Sequence, residues 1–238
     1  MQFAGRISNP TMNQAFPLAY EPRKLSEEEE LEASVFWRRF DESLFKDRSI
    51  VCFFGNLSRR IELKTVVDAA SHLESIGQIE IIFVIGGEGE CLASLKERAS
   101  GLNNIIFPGW LNFSTIRYLM QHSTFGVLPY PSSKDFVRSY PNKIGEYLST
   151  GLAVLSSTDG AVASLIEDET CGYRYCPESG KSLAETIMNA LGDPVELARR
   201  RACSINVFNR RFNADIVYGE YTNYIQELGD QSRKRRPL

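Results

Sequence analysis

Ile50-Val51-Cys52-Phe53-Phe54-Gly55-Asn56-Leu57-Ser58-Arg59-Arg60 is the stretch that decides the fold. Its first five residues are apolar without alternation and stop at a glycine, as a strand buried on both faces does. The period then changes, because Leu63, Val66, Val67, Ala70 and Leu73 fall at helical spacing. Ile79 to Ile85 reads as a second buried strand, closed by Gly86-Gly87. Leu92, Leu95 and Ala99 mark a helix, Ile105-Ile106-Phe107 a strand, and Ile116 and Leu119 a further helix. Phe125 to Leu128 is the next strand, and a helix runs from about Pro141 to Thr150. Ala153 to Ser156 and Tyr173 to Tyr175 are the last strands. This alternation predicts an α/β fold, a doubly wound parallel sheet with helices on both faces.

The flanks read differently. Before Ser49, Pro10, Pro17 and Pro22 punctuate a segment without clear period. Ser26 is a plausible N-cap for a helix that starts on Glu27 to Glu30 and continues as an amphipathic stretch through Val35, Phe36 and Phe40. At the far end a helix carrying Val217, Tyr221, Tyr224, Ile225 and Leu228 leads to a basic tail, Arg233 to Arg236.

Composition narrows the function classes. With 43% hydrophobic and 24% charged residues, the chain has the make-up of a soluble globular protein. A net charge of −3 argues against a dedicated nucleic-acid binder. No apolar run approaches the ~20 residues of a membrane span. Met1 to Tyr20 lacks a basic start followed by a long apolar stretch, so a cytoplasmic location is expected. The cysteines are scattered: Cys52 reads as core, and Cys171 and Cys176 have only His72 and His122 as imidazole partners, so no metal site is expected.

In a sheet of this kind ligands bind beyond the carboxyl ends of the strands, where the strand order switches. Gly55 to Arg60 reads as a glycine turn leading straight into a helix, with Arg59 and Arg60 as phosphate donors or, equally, as solvated arginines of a plain turn. Gly86-Gly87-Glu88-Gly89 departs from G-x-G-x-x-G and follows the second strand, so it indicates a tight turn and not a dinucleotide site. Ser139-Tyr140-Pro141-Asn142-Lys143-Ile144-Gly145-Glu146-Tyr147-Leu148-Ser149-Thr150-Gly151-Leu152-Ala153-Val154 brackets a helix between proline and glycine. Ile144, Tyr147 and Leu148 make its buried face, and Lys143 and Glu146 share another. A carboxylate there can accept from vicinal sugar hydroxyls while Lys143 and the helix start favour phosphate. The alternative is an exposed i,i+3 ion pair worth about 0.2–0.5 kcal/mol.

These motifs, in this order, resemble the C-terminal, donor-binding domain of the retaining GT-B glycosyltransferases of family 4, also called group 1, over roughly Ser49 to Leu228. The matching positions are Gly55-Leu57-Ser58, Gly87-Glu88-Gly89, Asn104 to Gly109, Leu128-Pro129-Tyr130, and Glu146 with Gly151-Leu152-Ala153-Val154. The resemblance implies a Rossmann-like sheet that is the C-terminal half of a GT-B fold. It implies an interdomain connection or N-terminal remnant over residues 1–48, a nucleotide-sugar-binding domain over 49–212, and a C-terminal helix and tail over 213–238. The expected substrate-binding residues are Gly55, Gly87, Glu88, Gly89, Trp110, Asn142, Lys143 and Glu146, which the resemblance places with Glu146 on the nucleotide ribose, and Arg59 and Arg60, which stand in for the family's basic positions. The nucleotide diphosphate sugar is a donor substrate; no cofactor is implied, and the group that activates the acceptor belongs to the other half. That acceptor half would be a separate N-terminal partner, and peripheral membrane contact would come through the acceptor or the basic tail.

Three positions depart from the family pattern: Asn56 and Ile61 stand where basic residues are usual, and Arg138 where a glutamate usually faces the donor sugar. They support a second reading, a non-catalytic binding or interaction module derived from a glycosyltransferase. A nicotinamide dehydrogenase or a GT-B epimerase ranks lower, the former because the three-glycine fingerprint and its acidic ribose residue are missing.

Overall fold

The structure is a computed structural model and describes residues 14–234. Pro10 and the start of the first segment, and Arg235 and Arg236 of the basic tail, lie outside the described residues.

The first helix, α1 (Glu27–Arg38), begins where the sequence asks it to. Ser26 Oγ accepts from Glu29 N at 3.2 Å and Ser26 N donates to Glu29 Oε2 at 2.9 Å, a closed capping box. Arg23 adds a forked pair to the same carboxylate, at 2.8 and 2.6 Å. The face that α1 buries is Ala33 and Trp37, whereas Val35 and Phe40 stay exposed.

Alternation then proceeds through β1 (Ser49–Phe54), α2 (Leu63–Ser75), β2 (Ile81–Gly86), α3 (Leu92–Arg98), β3 (Ile105–Gly109), α4 (Phe113–Gln121) and β4 (Phe125–Leu128). It continues with α5 (Lys143–Ser149), β5 (Ala153–Ser156), α6 (Ala161–Glu169), β6 (Gly172–Arg174), α7 (Gly180–Gly192), α8 (Pro194–Arg211) and α9 (Ala214–Lys234). The strands form one six-stranded sheet in the order β3-β2-β1-β4-β5-β6, every pairing parallel. Connections wind one way from β1 to β3 and the other way from β4 to β6. The crevice where they part lies past Phe54 and Leu128, between β1 and β4.

Strand side chains alternate between two cores. Cys52 and Phe54 face a cluster with Trp37, Leu119, Tyr147 and Phe208, from α1, α4, α5 and α8. Val51 and Phe53 face Val66, Leu95, Leu183 and Ile187, from α2, α3 and α7. Trp37 Nε1 donates to Thr115 O on α4 at 3.1 Å, which seats α1 in the first of these cores. The ring of Tyr147 occupies the space that a side chain on Gly126 would need. That is why β4 carries a glycine at its centre despite the cost to a strand.

The leading segment meets the α8–α9 junction behind α5. Tyr20 N donates to Phe212 O at 2.8 Å and Ala214 N to Tyr20 O at 3.2 Å, so the leading segment is fastened to the α8–α9 junction. Each sheet margin has its own feature. Arg200 Nη1 donates to Gly172 O on β6 at 2.5 Å, and β3 carries Pro108, which has no N–H. No helix among the described residues is long and apolar enough to cross a membrane.

Several local expectations shift. Ile79 lies in an exposed turn, and β2 starts two residues later. The helix expected from Pro141 contracts to Lys143–Ser149, with Asn142 at its N-cap and no side-chain cap bond. Pro141 instead closes a turn, its carbonyl accepting from Ile144 N at 2.9 Å. Helices α6, α7 and α8 are additions to the sequence reading.

Candidate functional site

At the switch point the strand ends are laced together by backbone. Gly55 N donates to Gly86 O at 3.0 Å and Gly87 N to Gly109 O at 2.6 Å. Gly87, at φ +123°, lies so close to the Gly55 carbonyl that any Cβ there would overlap it. These two glycines let main chain approach main chain, leaving a floor without side chains.

Lys143, the first residue of α5, reaches over that floor. Its Nζ stands 5.0 Å from the Phe53 ring centroid and 6.0 Å from that of Phe54, and it fills the space above Gly55. Burial holds the Lys143 ammonium below its usual value, and the nearby Glu146 partly restores it. Burial lifts the Glu146 carboxyl above its usual value, and Lys143 partly lowers it. In both, desolvation outweighs the partner, so a half-buried cation and a half-buried anion sit side by side. No salt bridge joins them, and neither side chain makes a hydrogen bond among the described residues, so both are open to a ligand. The expected exposed i,i+3 ion pair is absent.

Beside them a cleft of about 460 Å³ is lined by Phe54, Gly55, Gly87, Glu88, Trp110 and Ile116, among others. Its walls are apolar and its floor is backbone, the mixture usual in small-molecule sites. Trp110 is 68% exposed on its rim, a flat face free to stack.

Elements behind α5 fix its position. Arg117 on α4 is only 9% exposed, and its Nη1 donates to Ser149 Oγ at 3.1 Å. Ser149 Oγ in turn donates to Glu146 O at 2.7 Å. Arg201 Nε donates to Gly151 O at 2.9 Å, so two cations serve the carboxyl end of this helix. Tyr20 packs against Gly145 on the other side.

The structure therefore gathers Gly55, Gly87, Lys143 and Glu146, with Glu88 and Trp110 at the cleft. It does not bring Arg59 and Arg60 there. Helix α2 starts only at Leu63, because the chain first makes an excursion strapped down by Leu57 N to Glu88 O at 2.8 Å and Glu62 N to Pro129 O at 2.7 Å. On that excursion Arg59 is 83% exposed and 3.6 Å from Glu90, and Arg60 is 69% exposed and 2.9 Å from Asp135. Gly89 packs against Leu57 O, Asn142 is exposed, and Arg138 is exposed in the turn before α5, whereas Asn56 lines the cleft. Arg117 and Tyr20 carried no signal in the sequence: their role comes from tertiary packing alone.

The profile of the family "Glycosyl transferases group 1" matches residues 48–193, more than half of the chain. No curated protein matches it. Among solved structures it is similar to HepE of Anabaena in complex with UDP and glucose, at TM-score 0.66 and 16% identity, covering 85% of this chain and 53% of that one. It is similar to sucrose-phosphate synthase of Thermosynechococcus elongatus, at TM-score 0.69 and 15% identity, covering 91% and 52%. The C-terminal domain of LpcC, a group 1 family protein of Francisella tularensis, matches at TM-score 0.61 and 16% identity, with 82% and 97% covered. These likenesses show the fold. The chain spans about half the length of the first two and nearly the whole of the third.

Proposed function

The chain belongs to the group 1 glycosyl transferases, and on that premise we propose that it is the donor-binding half of a GT-B enzyme, taking a nucleotide diphosphate sugar. The observation that carries this reading is Lys143 beside Glu146 at the switch point, both half-buried and both without a hydrogen-bonding partner. A diphosphate would lie over the glycine floor with Lys143 as its counter-ion. The two ribose hydroxyls would donate to Glu146, and the base would enter the cleft beside Trp110. Stabilisation of the departing diphosphate by Lys143 is the catalytic contribution of this half. HepE, a protein of the same fold, was solved with UDP and glucose, which favours a uridine nucleotide among the candidates. Retention of anomeric configuration is part of the proposal, as is an acceptor half carried by a partner domain.

Calorimetric titration with UDP, GDP and ADP tests the site directly. One of them should bind weakly to the isolated chain, since a single domain offers one wall of the cleft, and no sugar should be transferred. Absence of binding by all three would overturn the donor reading.

A second reading has a specific observation behind it. Asn56 and Ile61 supply no cation, and Arg59 and Arg60 are engaged by carboxylates outside the cleft. Lys143 would then be the cation nearest the glycine floor among the described residues, fitting a non-catalytic nucleotide-binding module. Transfer activity on adding an acceptor half separates the two.

A further inference from the structure

Tyr20, in the leading segment, is anchored from several directions. Its N–H donates to Phe212 O at 2.8 Å and its carbonyl accepts from Ala214 N at 3.2 Å. Its ring meets the Phe208 ring edge-on, with the centroids 6.3 Å apart. Gly145 of α5 lies against it: a Cβ there would stand 3.1 Å from Tyr20 Cβ, tighter than ordinary contact. The bare glycine is what lets the tyrosine come so near the helix. The next residue of that helix is Glu146.

Arg117 of α4 completes the setting. It is buried, its Nη1 donates to Ser149 Oγ, and its Nε has no hydrogen-bond partner among the described residues. Ser149 Oγ bonds the Glu146 carbonyl at 2.7 Å, so the guanidinium reaches α5 within one turn of Glu146. The Tyr20 phenol feels both charges. Burial raises its hydroxyl above the usual value, the Arg117 charge lowers it, and the Glu146 charge raises it. Tyr130, past β4, is raised by burial and then by the Glu146 charge, but no cation acts on it. Lys143, on α5 itself, is the cation that acts on the Glu146 carboxyl.

A guanidinium carries donors only, and an ionised carboxylate acceptors only. A phenol within reach of both offers its oxygen to the first and its proton to the second. We propose that Tyr20 is a positioning residue for Glu146: with Arg117 on its oxygen side, the hydroxyl turns its proton to the carboxylate and fixes the direction in which that carboxylate meets a ribose. The leading segment thereby belongs to the nucleotide site, acting through Glu146 and not by touching the nucleotide. This inference rests on the reading of Glu146 as the ribose-binding group.

The test compares ribose with 2′-deoxyribose. Whichever of UDP, GDP and ADP binds the full chain best is titrated beside its 2′-deoxy analogue. If Glu146 holds the ribose, the wild type should prefer the ribose form by about tenfold or more. Tyr20→Phe keeps the ring on Gly145 and removes only the hydroxyl, and in it that preference should fall to about threefold or less. Arg117→Met should lower the preference in the same way; should that variant fail to fold, Tyr20→Phe decides alone. Adding Tyr20→Phe to Glu146→Gln should cause no further fall, because both act through one carboxylate. A residue that merely supports the helix would weaken both nucleotides equally and leave their ratio unmoved. The wild-type preference retained in Tyr20→Phe would overturn this inference and leave the donor reading standing. A wild type without preference for ribose would remove the ribose role of Glu146, and this inference with it.

Discussion

Lys143 Nζ lies 2.7 Å from the point where a Cβ on Gly55 would stand, so the ammonium group and the bare backbone beneath it form one device. Gly55 also sits at φ +138°, a conformation that L side chains rarely adopt. The variant Gly55→Ala should therefore lose more than about 1 kcal/mol of stability. It should also displace Lys143, weakening UDP far more than uridine. Chemical denaturation and paired titrations read the two effects, and equal weakening of UDP and uridine would detach Lys143 from the phosphate role.

In Glu146→Gln, affinity and stability should move in opposite directions. Losing the carboxylate should weaken nucleotide binding by about 1.5–3 kcal/mol, the worth of hydrogen bonds to a charged group. The folded protein should be no less stable, because a desolvated charge without a hydrogen-bonding partner has been removed. A variant that binds UDP as the wild type does would return Glu146 to a structural role.

The same carboxyl sets a pH dependence. Its folded value is raised above that of an ordinary glutamate by burial, with Lys143 opposing. The stability contributed by this shift is present below the unfolded value and is lost as pH rises through the folded one. Affinity runs the other way, since the accepting carboxylate disappears as pH falls through the raised value. Wild-type UDP binding should thus decline on acidification before an ordinary glutamate would titrate, and Glu146→Gln should lack that limb. Isothermal titration across the acidic range decides it.

For the double variant Arg59→Ala, Arg60→Ala, the ratio of UDP to uridine affinity should stay near that of the wild type. Both side chains pair with carboxylates on an exposed excursion, and such pairs contribute roughly 0–1 kcal/mol, screened by salt. A selective loss of UDP affinity would mean that the excursion refolds over the cleft on binding.

Trp37→Ala should cost about 3–5 kcal/mol, the usual range for emptying a buried indole site. Trp37 lies in the core shared with Leu119 and Tyr147, so urea unfolding should remain a single transition with a lower midpoint. An early, separate transition would instead make α1 an independent appendage.

The sheet was legible because its strands are buried on both faces, so β4 and β5 read directly from their apolar runs. Ile79 misled because an apolar residue in a turn looks like the start of a strand. Helix α8 escaped notice since its length is rich in arginine and its buried positions are few: Leu197, Ser204, Val207 and Phe208. At the site, Gly55, Lys143 and Glu146 were readable from glycine placement and helical spacing. Arg117 was not, because a buried arginine and a solvated one are the same letter. Whether Arg59 and Arg60 face the cleft depended on where α2 begins, a boundary set by the Glu62 to Pro129 bond and not by local propensity.

The margins of the sheet bear on how this molecule could meet copies of itself. An open strand edge invites addition of a further strand, the route to swapped dimers and fibrils. On β6 the Gly172 carbonyl is already taken by Arg200, and on β3 Pro108 interrupts the row of donors. Each margin carries one feature that disfavours a further strand. Apolar exposure lies elsewhere, on α9, where Tyr218, Tyr221 and Ile225 are exposed. A sheet with such margins is a poorer template for its own polymerisation than one with two open edges.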